Sequence, residues 1–228
     1  MRSSRCAQLL VTCAVALVAA AAPASAQIQH LVGGYFTGSF PMGDWGEIAG
    51  FGLGIDGTDV VRTSPDKPLA WRLSSGLLYN FSRTTGVPQG NLGPNSQLDL
   101  ETKNWSINFG LGPELSKSTG AVRPFIFGTA GFDTYWTSST LSGTAGGSPY
   151  SSEHGDSRIS FAWAGGLGLR RQIAEGYLGE ISVEYRSGLT HKFVLPGEVT
   201  NTGTAVYTDR ASRTSDQILV RFGTVLSD

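Results

Sequence analysis

Apolar and polar residues alternate with period two along most of this chain, in segments bounded by Gly, Pro, Ser and Asn. That is the pattern of strands with one apolar and one polar face. Eight such segments emerge. The first spans His30–Phe40. The second, Ala49–Val61, sets Phe51, Leu53 and Ile55 against Gly50, Gly52, Gly54 and Asp56. The third, Leu69–Arg83, sets Trp71, Leu73, Leu77, Tyr79 and Phe81 against Arg72, Ser74, Gly76 and Asn80. The fourth, Thr102–Lys117, alternates most regularly, with Trp105, Ile107, Phe109, Leu111 and Leu115 on one face.

The fifth segment, Val122–Ser138, is ambiguous, because Phe125 and Phe127 fall on the same side as Arg123, Thr129, Gly131 and Asp133. A bulge there could shift the register. The sixth, Ile159–Ile173, opposes Phe161, Trp163, Leu167 and Leu169 to Ala and Gly positions and Arg170. The seventh, Gly176–Leu189, opposes Tyr177, Ile181, Val183 and Tyr185 to Glu180, Ser182, Glu184 and Arg186. The eighth, Ser215–Leu226, opposes Ile218, Val220, Phe222 and Leu226 to Gln217, Arg221 and Gly223.

The connections alternate in length. Arg62–Pro68, Thr119–Ala121 and Ala174–Gly176 read as short turns. Gly86–Glu101, Ser139–Arg158 and Thr190–Thr214 read as long polar loops. Short turns at one end and long loops at the other are the habit of antiparallel barrels in bacterial outer membranes. Trp105, Trp136, Trp163, Tyr79 and Phe81 fall at the loop ends of their strands, and Trp71 and Tyr177 at the turn ends. Two such belts are expected where a membrane meets water on either side. The expected fold is therefore all-β: an eight-stranded antiparallel up-and-down transmembrane β-barrel, residues 27–228.

The first 26 residues are read apart from it. Arg2 and Arg5 precede an apolar run from Leu9 to Ala22, and Ala24-Ser25-Ala26 offers a small-x-small cleavage pattern. This predicts a removable export signal, too short to span a bilayer as a helix. Both cysteines, Cys6 and Cys13, lie inside it. The remaining chain offers neither a disulfide framework nor a thiolate-ligated metal.

Composition changes this picture little. A formal net charge of −1 gives no electrostatic support for a nucleic-acid partner. Mean hydropathy close to zero suits a barrel whose lipid-facing and lumen-facing residues cancel.

Several segments carry a family likeness: Val32-Gly33-Gly34-Tyr35, Gly38-Ser39-Phe40-Pro41-Met42-Gly43, Phe109-Gly110-Leu111-Gly112-Pro113-Glu114, Arg123-Pro124-Phe125 and Glu180-Ile181-Ser182-Val183-Glu184-Tyr185-Arg186. Through them the chain resembles the small outer-membrane barrels of the OmpA transmembrane-domain and OmpX/Ail type. That resemblance implies an outer-membrane location, lipid and lipopolysaccharide as surroundings, the barrel-insertion machinery as a partner, and a monomer. Members of those families usually end on an aromatic residue, whereas this chain ends Val225-Leu226-Ser227-Asp228.

The polar faces point to chemistry. Asp56, Glu114, Glu180 and Glu184 share the inward side with Arg72, Arg170, Arg186 and Arg221. Unpaired charges in a narrow interior are costly, so these residues are expected to form an ion-pair network that fills the lumen. Glu184 and Arg221, on neighbouring strands, are an expected pair. The inward glycines argue the other way, leaving room for water and a narrow channel. No catalytic residues, metal site or cofactor are expected. His30, His154 and His191 sit in no nucleophile motif, and Glu153-His154-Gly155-Asp156 matches no calcium loop. The leading expectation is a non-enzymatic surface or structural barrel. The alternatives are a small pore and a soluble lipocalin-like binder with the faces reversed.

Overall fold

The computed structural model describes residues 29–62, 64, 67–87, 95–193, 199–201, 205–207 and 211–227. The export signal read in residues 1–26 lies outside the described residues. Ten strands and one short helix are present among them: β1 Gln29–Pro41, α1 Trp45–Ile48, β2 Gly52–Arg62, β3 Leu69–Gly86, β4 Gln97–Ser116, β5 Val122–Ala145, β6 Ser148–Ala174, β7 Tyr177–Phe193, β8 Val199–Asn201, β9 Ala205–Tyr207 and β10 Ala211–Ser227. Eight of these close a barrel in the order β1-β2-β3-β4-β5-β6-β7-β10, every neighbouring pair antiparallel, with β10 returning to β1. The remaining two, β8 and β9, pair only with each other. Closure leaves no edge within the wall, which is what a sheet needs in a solvent that cannot hydrogen-bond.

The alternation places side chains as the sequence pattern predicts, with the apolar set on the outer wall and the polar set in the lumen. Along β4, Trp105, Ile107, Phe109 and Leu111 stand exposed on the outer wall, while Asn104, Ser106, Asn108 and Glu114 are buried within. Phe125 and Phe127 are buried beside Asp133, and β5 runs through without a bulge where it meets β4 and β6. The doubtful register thus resolves with two aromatic rings inside the barrel.

Below, "lower" denotes the end carrying Gln29, Ser227 and the β2–β3, β4–β5 and β6–β7 connections. The last two lower turns rely on Gly120 (φ +106) and Gly176 (φ +73), where L side chains are strained. At the upper end the structure corrects three expected loops. Ser139–Arg158 is a continuous hairpin: β5 and β6 run unbroken to Ala145 and Ser148, which pair across Gly146-Gly147. Those two glycines have φ of +56 and +85, the signs of a two-residue turn whose twist matches its strands. Likewise β3 extends to Gly86 and β4 begins at Gln97, so both ends of the expected Gly86–Glu101 loop are strand. The expected Thr190–Thr214 loop holds the end of β7, the β8–β9 hairpin and the start of β10. Finally, β2 begins at Gly52 rather than Ala49, because Gly43 (φ +55) turns the chain into α1.

Candidate functional site: the lumen and the outer wall

The lumen is filled in layers. The lowest is apolar, with Leu31, Val60, Ala70, Leu178 and Val225 packed around Tyr35. The Tyr35 hydroxyl lies 3.0 Å from Thr58 Oγ1. At the rim Arg62 donates to Ser116 Oγ.

Above this floor sit four of the sequence-derived charges. Arg170 donates from Nη1 and Nη2 to Glu114 at 2.6 and 2.9 Å, and from Nε to Glu180 at 2.7 Å. Arg72 donates to Glu114 at 2.9 Å and to Glu180 at 3.4 Å. Phe125 and Phe127 line the same level: the Arg170 guanidinium carbon lies 4.2 Å from the Phe125 centroid, and that of Arg72 lies 4.5 Å from the Phe127 centroid. Inward aromatic rings are thus positioned to stabilise the cations as well as to fill space.

The other four lie in the next layer. Arg221 donates to Asp56 at 2.8 Å and to Glu184 at 2.5 Å. Arg186 bonds Asp133 through Nε and Nη2, the nearest contact 2.5 Å, and approaches Glu184 at 3.5 Å. Thr37 donates to Asp56. Five buried arginines (the four above and Arg62) therefore face five buried acids among the described residues. Near-balance is what a low-dielectric interior demands.

The uppermost layer carries α1. Trp45 is fully buried against Tyr135, ring centroids 5.3 Å apart, and Arg83 donates to the Gly46 carbonyl. The helix sits in the mouth of the barrel against β1, β3 and β10.

The inward glycines turn out to be seats for neighbouring side chains. A Cβ on Gly166 would lie 2.5 Å from the Phe127 ring, and one on Gly168 2.4 Å from the Phe125 ring. Gly33 and Gly223 make room for Tyr35 in the same way, and Gly76 for Asp56. Sequence reasoning missed Arg62, Tyr35 and Trp45 as lumen contributors, and left Asp133, Phe125 and Phe127 open with the register of the fifth strand. For Phe125, Phe127 and Tyr35 the signal was present, since each stands across from a glycine on the adjacent strand.

The outer wall is the reverse of a water-soluble surface. Phe36, Leu53, Ile55, Phe109, Ile126, Phe132, Leu167, Ile181 and Phe222 are all exposed there, a continuous apolar belt far larger than soluble proteins present. All seven predicted belt aromatics face outward. Tyr79 packs on Trp105 at 4.5 Å and on Phe81 at 5.4 Å, Trp105 pairs across the ladder with Trp136, and Trp163 packs on Tyr185 at 5.5 Å. Trp71 and Tyr177 lie toward the lower end, near the starts of β3 and β7. No helix among the described residues is long and apolar enough to cross a membrane, and β-strands are outside that criterion.

The histidines are not gathered into a site by the described side chains. His30 meets Asp59 at 3.1 Å on the lower outer wall, and His154 lies on β6 across from Ser139. Among the described residues no group of three or more His, Cys, Asp or Glu is placed to hold a metal.

Neither a protein-family model nor a curated protein sequence matches the chain. Solved structures are similar to it in fold. A major outer membrane protein from Thermus thermophilus is 12% identical, covering 88% of this chain and 99% of its own, with a TM-score of 0.47. The outer membrane protein OprG from Pseudomonas aeruginosa is 13% identical, covering 89% and 96%, TM-score 0.44. Neisserial surface protein A is 9% identical, covering 90% and 99%, TM-score 0.43.

Proposed function

We propose that this protein is a non-enzymatic integral barrel of a bacterial outer membrane, monomeric, with a lumen closed by its own side chains and long upper hairpins turned to the outside. The observation that carries this is the inverted burial. The largest apolar side chains coat the outside, while arginines, glutamates and aspartates are buried within. In water that arrangement would expose the apolar belt and leave no dry core. In lipid both faces are satisfied. A lipocalin-like binder requires the opposite assignment.

Its surroundings are then outer-membrane lipid and lipopolysaccharide, and its assembly passes through the barrel-insertion machinery. The layered lumen supports a structural or surface-presenting role. The β5–β6 hairpin supports it further, since its upper part is held by Leu141 and Tyr150 packed with Val87, Leu98 and Leu100. This gives the presented surface a small core of its own.

A second reading, a narrow pore, has one observation in its favour. Asn108, Thr129 and Ser182 are buried in the lumen with no hydrogen-bond partner for their side-chain atoms. Water could satisfy them.

Membrane fractionation and gel mobility of unboiled and boiled samples test the barrel, and planar-bilayer recording tests the lumen. A heat-shifted outer-membrane protein without unit conductance is expected. Reproducible conductance steps would select the pore, and a soluble protein without a heat shift would overturn the barrel reading.

A further inference from the structure

Resting on the membrane reading, we propose that the lower outer wall holds one anionic glycerophospholipid of the periplasmic leaflet, its phosphate on Arg171 and an acyl chain in a furrow across the strands. The furrow has a volume of about 950 Å³. Its shape follows from the register. Gly57 pairs with Gly34, Gly34 with Thr224, Thr224 with Gly179, and Gly179 with Arg171, so small outward positions succeed one another across β2, β1, β10 and β7 and end at a cation on β6. The row above is bulky throughout: Ile55, Phe36, Phe222 and Ile181 stand in register, with Phe36 and Phe222 rings stacked at 5.7 Å. The row below is bulky too, where Val32, Leu226 and Tyr177 pair in turn. The result is a trough with an apolar bank above and, below, a bank that is apolar across β1, β10 and β7 and ends in Asp59 on β2, at the end away from Arg171. At ~4.8 Å per strand it is about 19 Å long, which suits an extended acyl chain.

Charge decides the occupant. Arg171 is exposed on the lipid-facing side and makes no ion pair among the described residues, whereas the lumen arginines above the rim are all paired with acids. It lies three residues from the end of β6, close to the belt residue Tyr177, and the floor runs from there to Gly57, five residues inside the end of β2. The cation therefore stands at headgroup depth and the trough leads into the hydrocarbon. An outward arginine at that depth draws an anionic phosphate, and the lipid nearest this end is that of the periplasmic leaflet. An acyl chain with a neutral or zwitterionic head would fill the trough but leave Arg171 without a net counter-charge.

The test uses the protein folded into vesicles of equal parts phosphatidylcholine and phosphatidylglycerol. It is released for native mass spectrometry, and the lipids it retains are identified. Two variants are compared. Arg171→Gln removes the charge. Gly34→Leu fills the floor at a position where an added Cβ meets nothing within 4 Å and the backbone is ordinary, so the barrel should still form. Heat-dependent gel mobility is read first for every sample. Failure of the parent protein to insert would remove the membrane reading, and this proposal with it. With insertion established, the parent is expected to retain one phosphatidylglycerol in preference to phosphatidylcholine. Arg171→Gln should lose that preference by about fivefold, the weight of one arginine–anion attraction at a bilayer surface. Gly34→Leu should retain less of either lipid. Equal retention by all three proteins, or no headgroup preference in the parent, would overturn the proposal while leaving the barrel intact.

Discussion

Replacing Glu114 by Gln tests whether the lumen is dry. Glu114 is fully buried and accepts two hydrogen bonds from Arg170 and one from Arg72, at 2.6 to 2.9 Å. The substitution keeps volume and shape but leaves two buried guanidinium groups sharing one carboxylate, Glu180. Three hydrogen bonds to a charged group at ~1.5–3 kcal/mol each set an upper range of about 5–9 kcal/mol. The glutamine carbonyl recovers part of that, and breaking one partner of a buried ion pair costs ~3–5 kcal/mol in proteins generally. With a denaturant slope of ~2 kcal/mol per molar urea, a loss of about 4 kcal/mol moves the unfolding midpoint down by about 2 M. The assay is urea unfolding of the vesicle-inserted protein, read by gel mobility. The companion double variant Glu114→Leu with Arg170→Met removes a matched pair of charges and should lie closer to the parent than the single variant does. A single-variant shift below about 0.5 M would refute the reasoning. It would mean that water reaches the arginines and that the ion pairs line a wet passage.

Further outcomes follow from the same geometry. Gly76→Ala is expected to destabilise strongly, since its Cβ would lie 1.6 Å from Asp56 Oδ1 and displace that carboxylate from Arg221; Gly34→Ala, facing open space, should change stability by less than ~1 kcal/mol in the same unfolding assay. Trp45→Ala should cost ~3–5 kcal/mol by emptying the upper layer, yet leave conductance absent, because the lower layers still fill the lumen. In single-tryptophan proteins retaining Trp71, Trp105, Trp136 or Trp163, spin labels near the headgroups should quench fluorescence more than labels at the bilayer centre; the reverse order would displace the belts. Phe125→Leu should lose ~1 kcal/mol beyond its packing term through the lost ring–guanidinium contact, measurable as coupling in a cycle with Arg170→Met.

What the chain announces in advance is whatever depends on period two. Strand faces, barrel class and the eight lumen charges are visible because each residue's side follows from its parity along the strand. Two kinds of feature are hidden. The first is the true length of the upper strands. Gly146-Gly147 amid Ser and Thr reads as a flexible loop, although two glycines with positive φ also make the tightest of turns, and Leu141 on the inward parity was a clue to the longer strand. The second is how space inside a closed barrel is shared between strands. Whether Gly166 and Gly168 leave a hole or seat Phe127 and Phe125 depends on cross-strand register, which no single-strand pattern carries. The ambiguity of β5 and the surplus of inward glycine were therefore one question, answered together once β5 and β6 are aligned.

The pairing of β10 with β1 has a bearing on how the protein comes into being. Val32 lies beside Leu226 and Thr37 beside Arg221, so the ring is sealed by the two most distant parts of the chain. Six of the other seven neighbouring pairs join consecutive strands and can form early, and β7 meets β10 across the intervening β8–β9 pair, while this seam spans the most chain, carries the greatest entropic cost of closure and should form late. Arg221 meets Glu184 as soon as β10 pairs with β7, but it reaches Asp56 on β2 only when the seam closes. Until then the Asp56 carboxylate of the upper ionic layer lacks its arginine, and a half-zipped barrel carries an electrostatic penalty against entering hydrocarbon. The chain is in effect a lock whose last tumbler is its final strand, so that commitment to the bilayer waits for a completed molecule.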